Sequence, residues 1–268
     1  MPALLPPRFL RLRNALDRLS GKELALKGGM ATSGVVRVGD TVRRPVKEKS
    51  AFVHDVLRHL ELRGFDRVPR FLGIDEKGRE MLTHISGTVP QQVGGFRKEQ
   101  WLAAARLLKL FHDATMDCEL KGECDVICHG DAGPGNYVLR DGMPFALIDF
   151  DGAHPGKREE DVGYAAWMWL HIGDRKIAPE EQGSNLVDFV AAYDAAATWN
   201  PLKAVLEAQK VCVARIPNSF KWAIIKAWAQ ACLALTYRNR ERIAAGIAAR
   251  SDNSPSSSSD SVVDRPVA

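Results

Sequence analysis

The 268-residue chain contains no apolar run near the roughly 18 positions a membrane-crossing helix needs, so no membrane partner is expected. It is equally short of disulfide chemistry. Its five cysteines, Cys118, Cys124, Cys128, Cys212 and Cys232, form an odd, unevenly spaced set. That pattern argues against a bridged framework, and Cys124, Cys128 and His129 lack the spacing of a zinc site. The opening MPALLPPRFLRLR sets prolines where an export leader has its apolar centre, so no export signal is read and a cytoplasmic location is expected. Strong charge of one sign is also missing: the net charge is only +4. Residues 1–100 carry 19 Lys/Arg against 11 Asp/Glu, while residues 101–250 carry 17 against 19. The basic front suits a polyanion, but no aromatic-interleaved basic strand or helix-turn-helix accompanies it, and no nucleic-acid partner is expected. With 46% hydrophobic and 26% charged residues and no internal repeat, what remains is an ordinary globular chain.

Its patterning changes period along its length. Residues 8–20 space Phe9, Leu12, Leu16 and Leu19 as a short amphipathic helix, which makes residues 1–23 a helical lead-in. From residue 24, β-branched runs punctuated by Gly28-Gly29, Gly34 and Gly39-Asp40 predict two or three antiparallel strands. Ser50 is placed to cap a helix over 51–63 that ends at Gly64, and two more strands flank Lys77-Gly78. Residues 24–87 thus read as a small strand-rich lobe. Residues 88–250 read as a larger, mostly helical lobe, with helices from Glu99 and over 159–171, 180–198, 201–215 and 218–249. The helical pattern is broken once, by a hairpin about Asp141-Gly142, and the serine-rich stretch 251–268 reads as a disordered tail. The fold class is α+β.

The break carries chemistry. His129-Gly130-Asp131, four residues and Asn136 reproduce the interval of a kinase catalytic loop, and Asp149-Phe150-Asp151-Gly152 follows where a magnesium-binding Asp-Phe-Gly belongs. In that arrangement Asp131 accepts or aligns the proton of an attacking hydroxyl. Asn136 and Asp149 offer oxygen to Mg2+, a hard cation. The bland alternative is a polar hairpin without function.

The motifs HGDAGPGN and LIDFDGAHPGKREEDVGYAAW resemble the aminoglycoside phosphotransferase and choline kinase-like family, over about residues 24 to 249 and most sharply over 127–167. The resemblance implies a bilobal protein-kinase-like fold that phosphorylates hydroxyls of small molecules, with ATP or GTP bound between the lobes. It puts the catalytic aspartate at Asp131, metal ligands at Asn136 and Asp149, and the aspartate bracing the catalytic loop at Asp161. His129 is expected to support the loop, and His112 to bond backbone at its helix end. Asp151 is either close to the metal or a solvated turn residue.

In the strand lobe, Gly28, Gly29, Thr32 and Ser33 either approach a phosphate or make a plain turn. Val42 and Arg44 share one strand face, Val42 toward adenine and Arg44 toward phosphates, with Arg43 on the other. Where the family commonly has a partner glutamate on the next helix, this chain has Val53 and His54, leaving Glu48, Asp55 or Glu61 as substitutes. Backbone groups near Thr83, His84 and Ile85 are expected to meet the adenine. The six tryptophans all lie in the helical lobe and are read mostly as core. Asp151, Glu159, Glu160 and Asp188 are acceptor-side candidates. An antibiotic-modifying kinase is the leading expectation. A metabolic kinase of a sugar or amino alcohol, and a non-catalytic ligand-binding module, are the alternatives.

Overall fold

The computed structural model describes residues 22–26, 34–91 and 94–252. The expected helix over 8–20, the glycine-rich stretch holding Gly28, Gly29, Thr32 and Ser33, and tail residues 253–268 lie outside the described residues. Five strands, β1 (Leu24–Ala25), β2 (Val36–Val38), β3 (Thr41–Pro45), β4 (Phe71–Ile74) and β5 (Arg79–Thr83), form one antiparallel sheet in the order β1-β2-β3-β5-β4. The β2–β3 connection turns at Gly39, whose φ of 58° is available to glycine without a Cβ clash. Register then decides which side chains meet. Val42 stands opposite Leu82, and Arg44 opposite Glu80.

Helix α1 (Ser50–Leu62) buries Val53, Val56, Leu57 and Leu60, the stripe its periodicity predicts. Gly64, just past its C-cap Arg63, has φ of 70°. Ser50 is the first helical residue rather than the cap, which is Lys49. Its Oγ accepts the Lys47 N–H, a group lying before the helix, so the expected capping bond is not made.

Helix α2 (Lys98–Ala114) opens the helical part. Strands β6 (Val126–Cys128) and β9 (His154–Gly156) pair antiparallel, and β7 (Tyr137–Arg140) pairs with β8 (Met143–Leu147) about Asp141 and Gly142. Both turn residues have positive φ, 51° and 76°, as a primed hairpin turn requires. Helices α3 (Arg158–Leu170), α4 (Pro179–Tyr193), α5 (Pro201–Arg215), α6 (Ala223–Arg238) and α7 (Arg240–Asp252) follow. The core joins Trp101, Leu108 and Phe111 of α2 to Trp167 and Trp169 of α3 and Phe189 of α4.

Two helix boundaries differ from the sequence reading. The span expected at 180–198 ends at Tyr193. The single helix expected over 218–249 is instead a short turn, Phe220–Trp222, then α6 and α7 separated at Asn239. The break lets α7 lie against α4 at glycine contacts. A Cβ on Gly246 would sit 2.0 Å from the Glu180 carbonyl oxygen, and one on Gly183 would sit 2.1 Å from that of Ile243. This packing carries α7 to Asp252, into the segment read as the start of the tail. All five cysteines are free, and among the described residues no helix is long and apolar enough to cross a membrane.

Candidate active site

The loop after β6 is fixed from below. Asp161, on α3 and buried, accepts the backbone N–H of His129 at 2.5 Å and of Gly130 at 2.8 Å, and bonds the His112 ring at 3.0 Å. Burial pushes its pKa up. Hydrogen bonds from the His112 ring and the Gly130 N–H, with the electrostatic influence of His112 and His129, outweigh that and hold the carboxyl below its usual range. His112 bonds side chains, not the backbone expected of it: Asp161 on one ring nitrogen, the Tyr193 hydroxyl at 2.7 Å on the other. His129 accepts the Asp131 N–H on Nδ1 and donates from Nε2 to the Ile148 carbonyl at 3.0 Å, which ties the loop to the next strand end. Gly130 cannot be larger: with φ of 76°, an added Cβ would stand 2.1 Å from the Gly152 carbonyl oxygen.

On this platform Asp131 is gripped at both oxygens. The Tyr164 hydroxyl donates to Oδ1 at 2.5 Å, and Asn136 Nδ2 donates to Oδ2 at 2.8 Å and to the Asp131 carbonyl at 2.8 Å. Asp131 keeps solvent-accessible surface inside the cleft, yet protein surrounds it closely. That desolvation raises its pKa above the ordinary aspartate value although the Tyr164 and Asn136 hydrogen bonds pull it down. The Ile148 N–H bonds the Asn136 carbonyl at 2.9 Å, so the loops bearing Asn136 and Asp149 are joined directly. Asp149 takes a left-handed conformation, φ 63°, and its Oδ1 meets Arg44 Nη1 at 3.0 Å. Asp131, Asn136 and Asp149 therefore border one space. Because the Asn136 amide nitrogen is spent on Asp131, its Oδ1 is the atom left to face that space beside a carboxylate. This all-oxygen donor set fits a hard divalent cation.

Arg44 reaches the same point from β3. Its Nη2 binds Asp151 Oδ1 at 2.8 Å, and Lys47 binds the other Asp151 oxygen, so Asp151 is a paired residue rather than a solvated one. Burial opposes the charge on Arg44, but Asp151, Glu80 and Asp149 together raise its pKa. Arg43, on the opposite face, pairs with Asp75. The carboxylate that supports Arg44 is none of the three expected. It is Glu80 on β5, fully buried, 2.5 Å from Arg44 Nε and 2.5 Å from His54 Nε2. Asp55 instead pairs with Arg58, and Glu61 lies 3.6 Å from Arg70. The His54 ring stacks on Phe71 with centroids 3.6 Å apart, which fixes it under the sheet. The signal was present as alternation: Glu80 and Leu82 share the inward face of β5, as Val42 and Arg44 share that of β3.

Thr83, His84 and Ile85 line the cleft, but two of their three N–H groups are committed within the protein, Thr83 to the Arg70 carbonyl and His84 to that of Asp40. Ile85 is the residue left to present its main-chain N–H. The cleft, of about 1960 Å³, runs from Val42, Arg44 and Leu82 past Asp131, Asn136 and Asp149 to α5 and α6. Glu159 and Glu160 line it, although Glu160 also accepts the Lys157 N–H; Asp188 does not, being tied to Lys98 and Arg250. Of the tryptophans, Trp101, Trp167 and Trp169 are core, whereas Trp199, Trp222 and Trp228 are incompletely buried and form a wall of the cleft. His112, Cys128 and Asp161 lie close enough to suggest a metal cluster. Burial drives the Cys128 thiol pKa upward and its Sγ bonds the Lys157 carbonyl, so the trio is a hydrogen-bonded support for the loop.

The chain is similar to known proteins in sequence and in fold. Residues 122–204 match the phosphotransferase enzyme family. A trifolitoxin immunity protein of Rhizobium leguminosarum bv. trifolii is 34% identical over 172 residues, covering 58% of this chain and 65% of that protein. The chain thus spans just under two thirds of that relative's length. Among solved structures, a choline/ethanolamine kinase family protein from Mesorhizobium loti superposes with a TM-score of 0.51 at 15% identity, over 90% of this chain and 99% of that one. An aminoglycoside phosphotransferase from Streptomyces rimosus, in complex with ADP and streptomycin, gives 0.51 at 14% identity, over 75% and 96%. A macrolide 2'-phosphotransferase from Brachybacterium faecium gives 0.51 at 16%, over 92% and 98%. The fold is the bilobal protein-kinase-like α+β fold of these enzymes.

Proposed function

We propose that this chain, whose residues 122–204 match the phosphotransferase enzyme family, moves the γ-phosphoryl group of ATP or GTP to a hydroxyl of a small molecule. In this reading residues 24–87 hold the nucleotide, and residues 88–250 supply the catalytic loop and the acceptor site. The observation that carries it is the convergence of Asp131 and Asn136 from the β6–β7 loop, Asp149 from beyond β8 and Arg44 from β3 on one cleft.

Each residue then has a physical task. Asp131, aligned by Tyr164 and Asn136, takes the proton of the acceptor hydroxyl as its oxygen bonds to the γ-phosphorus. The bond from that phosphorus to the β-bridging oxygen breaks, and the nucleoside diphosphate leaves. The raised pKa of Asp131 makes it a stronger base than an exposed aspartate. Arg44, preset by Glu80, places a guanidinium fork at the non-transferred phosphates. Asn136 and Asp149 are the residues that would hold Mg2+, which supplies charge neutralisation to the phosphates when bound. Asp161, His112 and His129 hold the loop in shape, and Ile85 with its neighbours Thr83 and His84 borders the base. The immunity protein among the relatives favours a toxic or antibiotic acceptor, inactivated by phosphorylation.

The test is nucleoside diphosphate release across hydroxyl-bearing antibiotics and metabolites, with ATP and with GTP, for wild type and Asp131→Asn. The variant is expected to lose about 10²- to 10⁴-fold in kcat, the worth of a general base, while calorimetric Mg-ATP affinity stays within about twofold. Near-normal turnover in Asp131→Asn removes the assignment.

A further inference from the structure

The acceptor end of the cleft is aromatic, and its carboxylates share the lining with cations. Asp131 is bonded by the Tyr164 hydroxyl, the Tyr164 ring meets Trp167 edge-on at 5.8 Å, and Trp167 stacks on Trp228 at 5.3 Å with an interplanar angle of 13°. An unbroken line of aromatic rings therefore leads from the aspartate outward. Trp167 is buried, but Trp228 leaves 41% of its surface open, and the adjacent Ile224 leaves 85%. Both line the cleft, as do Trp199 and Trp222. Apolar surface kept open to water in a concave site marks a place for an apolar ligand.

The charges point the same way. Of the carboxylates on this side, Glu160 is engaged by the Lys157 N–H and lies 3.6 Å from His154, and Glu207 is paired with Lys210. The Glu159 side chain has no protein partner among the described residues, and it shares the lining with the side chains of Lys203 and Arg215, which form no ion pair there. A polycation entering here would meet these two cations as well as the carboxylates, and like-charge contact opposes that part of its binding.

Resting on the kinase reading above, we infer that the acceptor is a hydroxyl compound with an aromatic or apolar body rather than a polycation, its hydroxyl at Asp131 and its body on Trp228 and Trp222. Two probes separate this from a polycationic acceptor. Chloramphenicol is neutral, aromatic and carries two aliphatic hydroxyls; kanamycin is a polycationic sugar. In calorimetric titration of the full chain with ADP and Mg2+ present, chloramphenicol is expected to bind at least tenfold more tightly than kanamycin. Trp228→Ala should weaken chloramphenicol at least tenfold while ADP titration confirms that the variant is folded. Phe220→Ala, 99% exposed and outside the cleft, should leave that affinity unchanged. Lys203→Glu should raise kanamycin affinity several-fold.

Chloramphenicol binding no tighter than kanamycin, or a Trp228→Ala variant that binds it like wild type, overturns the inference. The two readings fail separately. Trp228-dependent chloramphenicol binding without diphosphate release from any acceptor supports the subsite and sinks the kinase assignment. Diphosphate release that prefers kanamycin and ignores Trp228 does the reverse.

Discussion

Removing Glu80 tests the arrangement that departs furthest from a sequence-level expectation. Glu80 is fully buried between Arg44 and His54 at 2.5 Å from each, and Arg44 is itself only 6% exposed. Breaking a buried pair by deleting one member costs about 3–5 kcal/mol, because the other charge stays desolvated. Arg44 keeps Asp149 and Asp151, so the lower end applies to Glu80→Ala. At roughly 2–4 °C per kcal/mol for a chain near this size, about 3 kcal/mol lowers Tm by roughly 6–12 °C. Glu80→Gln, which keeps an acceptor oxygen but not the charge, falls between. The freed guanidinium also loses its preset aim, so Mg-ATP affinity should drop at least about fivefold, the loss of part of one charge-assisted contact. Thermal unfolding without nucleotide reads the first effect and calorimetry the second. Asp55→Ala and Glu61→Ala, both exposed ion pairs on α1, should change stability by less than about 0.5 kcal/mol. If Glu80→Ala unfolds and binds ATP no differently from those two controls, the buried pair does not hold Arg44 and the reasoning is wrong.

Asp149→Ala should weaken Mg2+-dependent nucleotide binding, whereas binding measured in EDTA should change less; equal losses in both would remove Asp149 as a metal ligand. Tyr164→Phe deletes a hydrogen bond that lowers the Asp131 pKa, so that pKa should rise further above the ordinary aspartate value. Because the base must be ionised, the acid limb of kcat/KM against pH should then move to higher pH, and a limb that stays put or moves down contradicts the role given to Tyr164. Asp161→Ala strips the acceptor from two loop N–H groups and from His112, of which those at His129 and His112 are buried, and should cost about 3–5 kcal/mol in chemical denaturation.

The catalytic loop was legible because its information is local. Asp131 and Asn136 sit within one turn, and their interval alone brings the amide back to the carboxylate. The same holds for the Asp141-Gly142 hairpin, whose residue types permit positive φ. The strand-helix-strand order of residues 34–83 was equally readable from its periods, since alternation and the α1 stripe each encode one buried face. Where the decisive contact lies between distant elements, the pattern was silent. The break at Asn239 has no proline or glycine to announce it, because α7 turns to satisfy glycine packing against α4. Nothing in their local sequence separates the open tryptophans from the core ones; only tertiary packing, as where Trp228 stacks on the outer side of the buried Trp167, tells wall from interior.

The support of Arg44 differs from these, because its signal lies in the alternation of β3 and β5 rather than in the helix that follows β3. Expecting its carboxylate on α1 meant searching for the right residue on a helix, whose position relative to β3 depends on packing. Glu80 needs no such docking. Five consecutive register pairs join β3 to β5, and they set Arg44 opposite Glu80 wherever α1 lies. His54 then joins from α1 as a second partner of Glu80, so the helix follows the sheet rather than aligning it. A cation held by the ladder that also forms the cleft wall is oriented before any ligand arrives. That lowers the ordering cost of binding and explains how Arg44 spans from Glu80 to Asp149 and Asp151 across the mouth of the site.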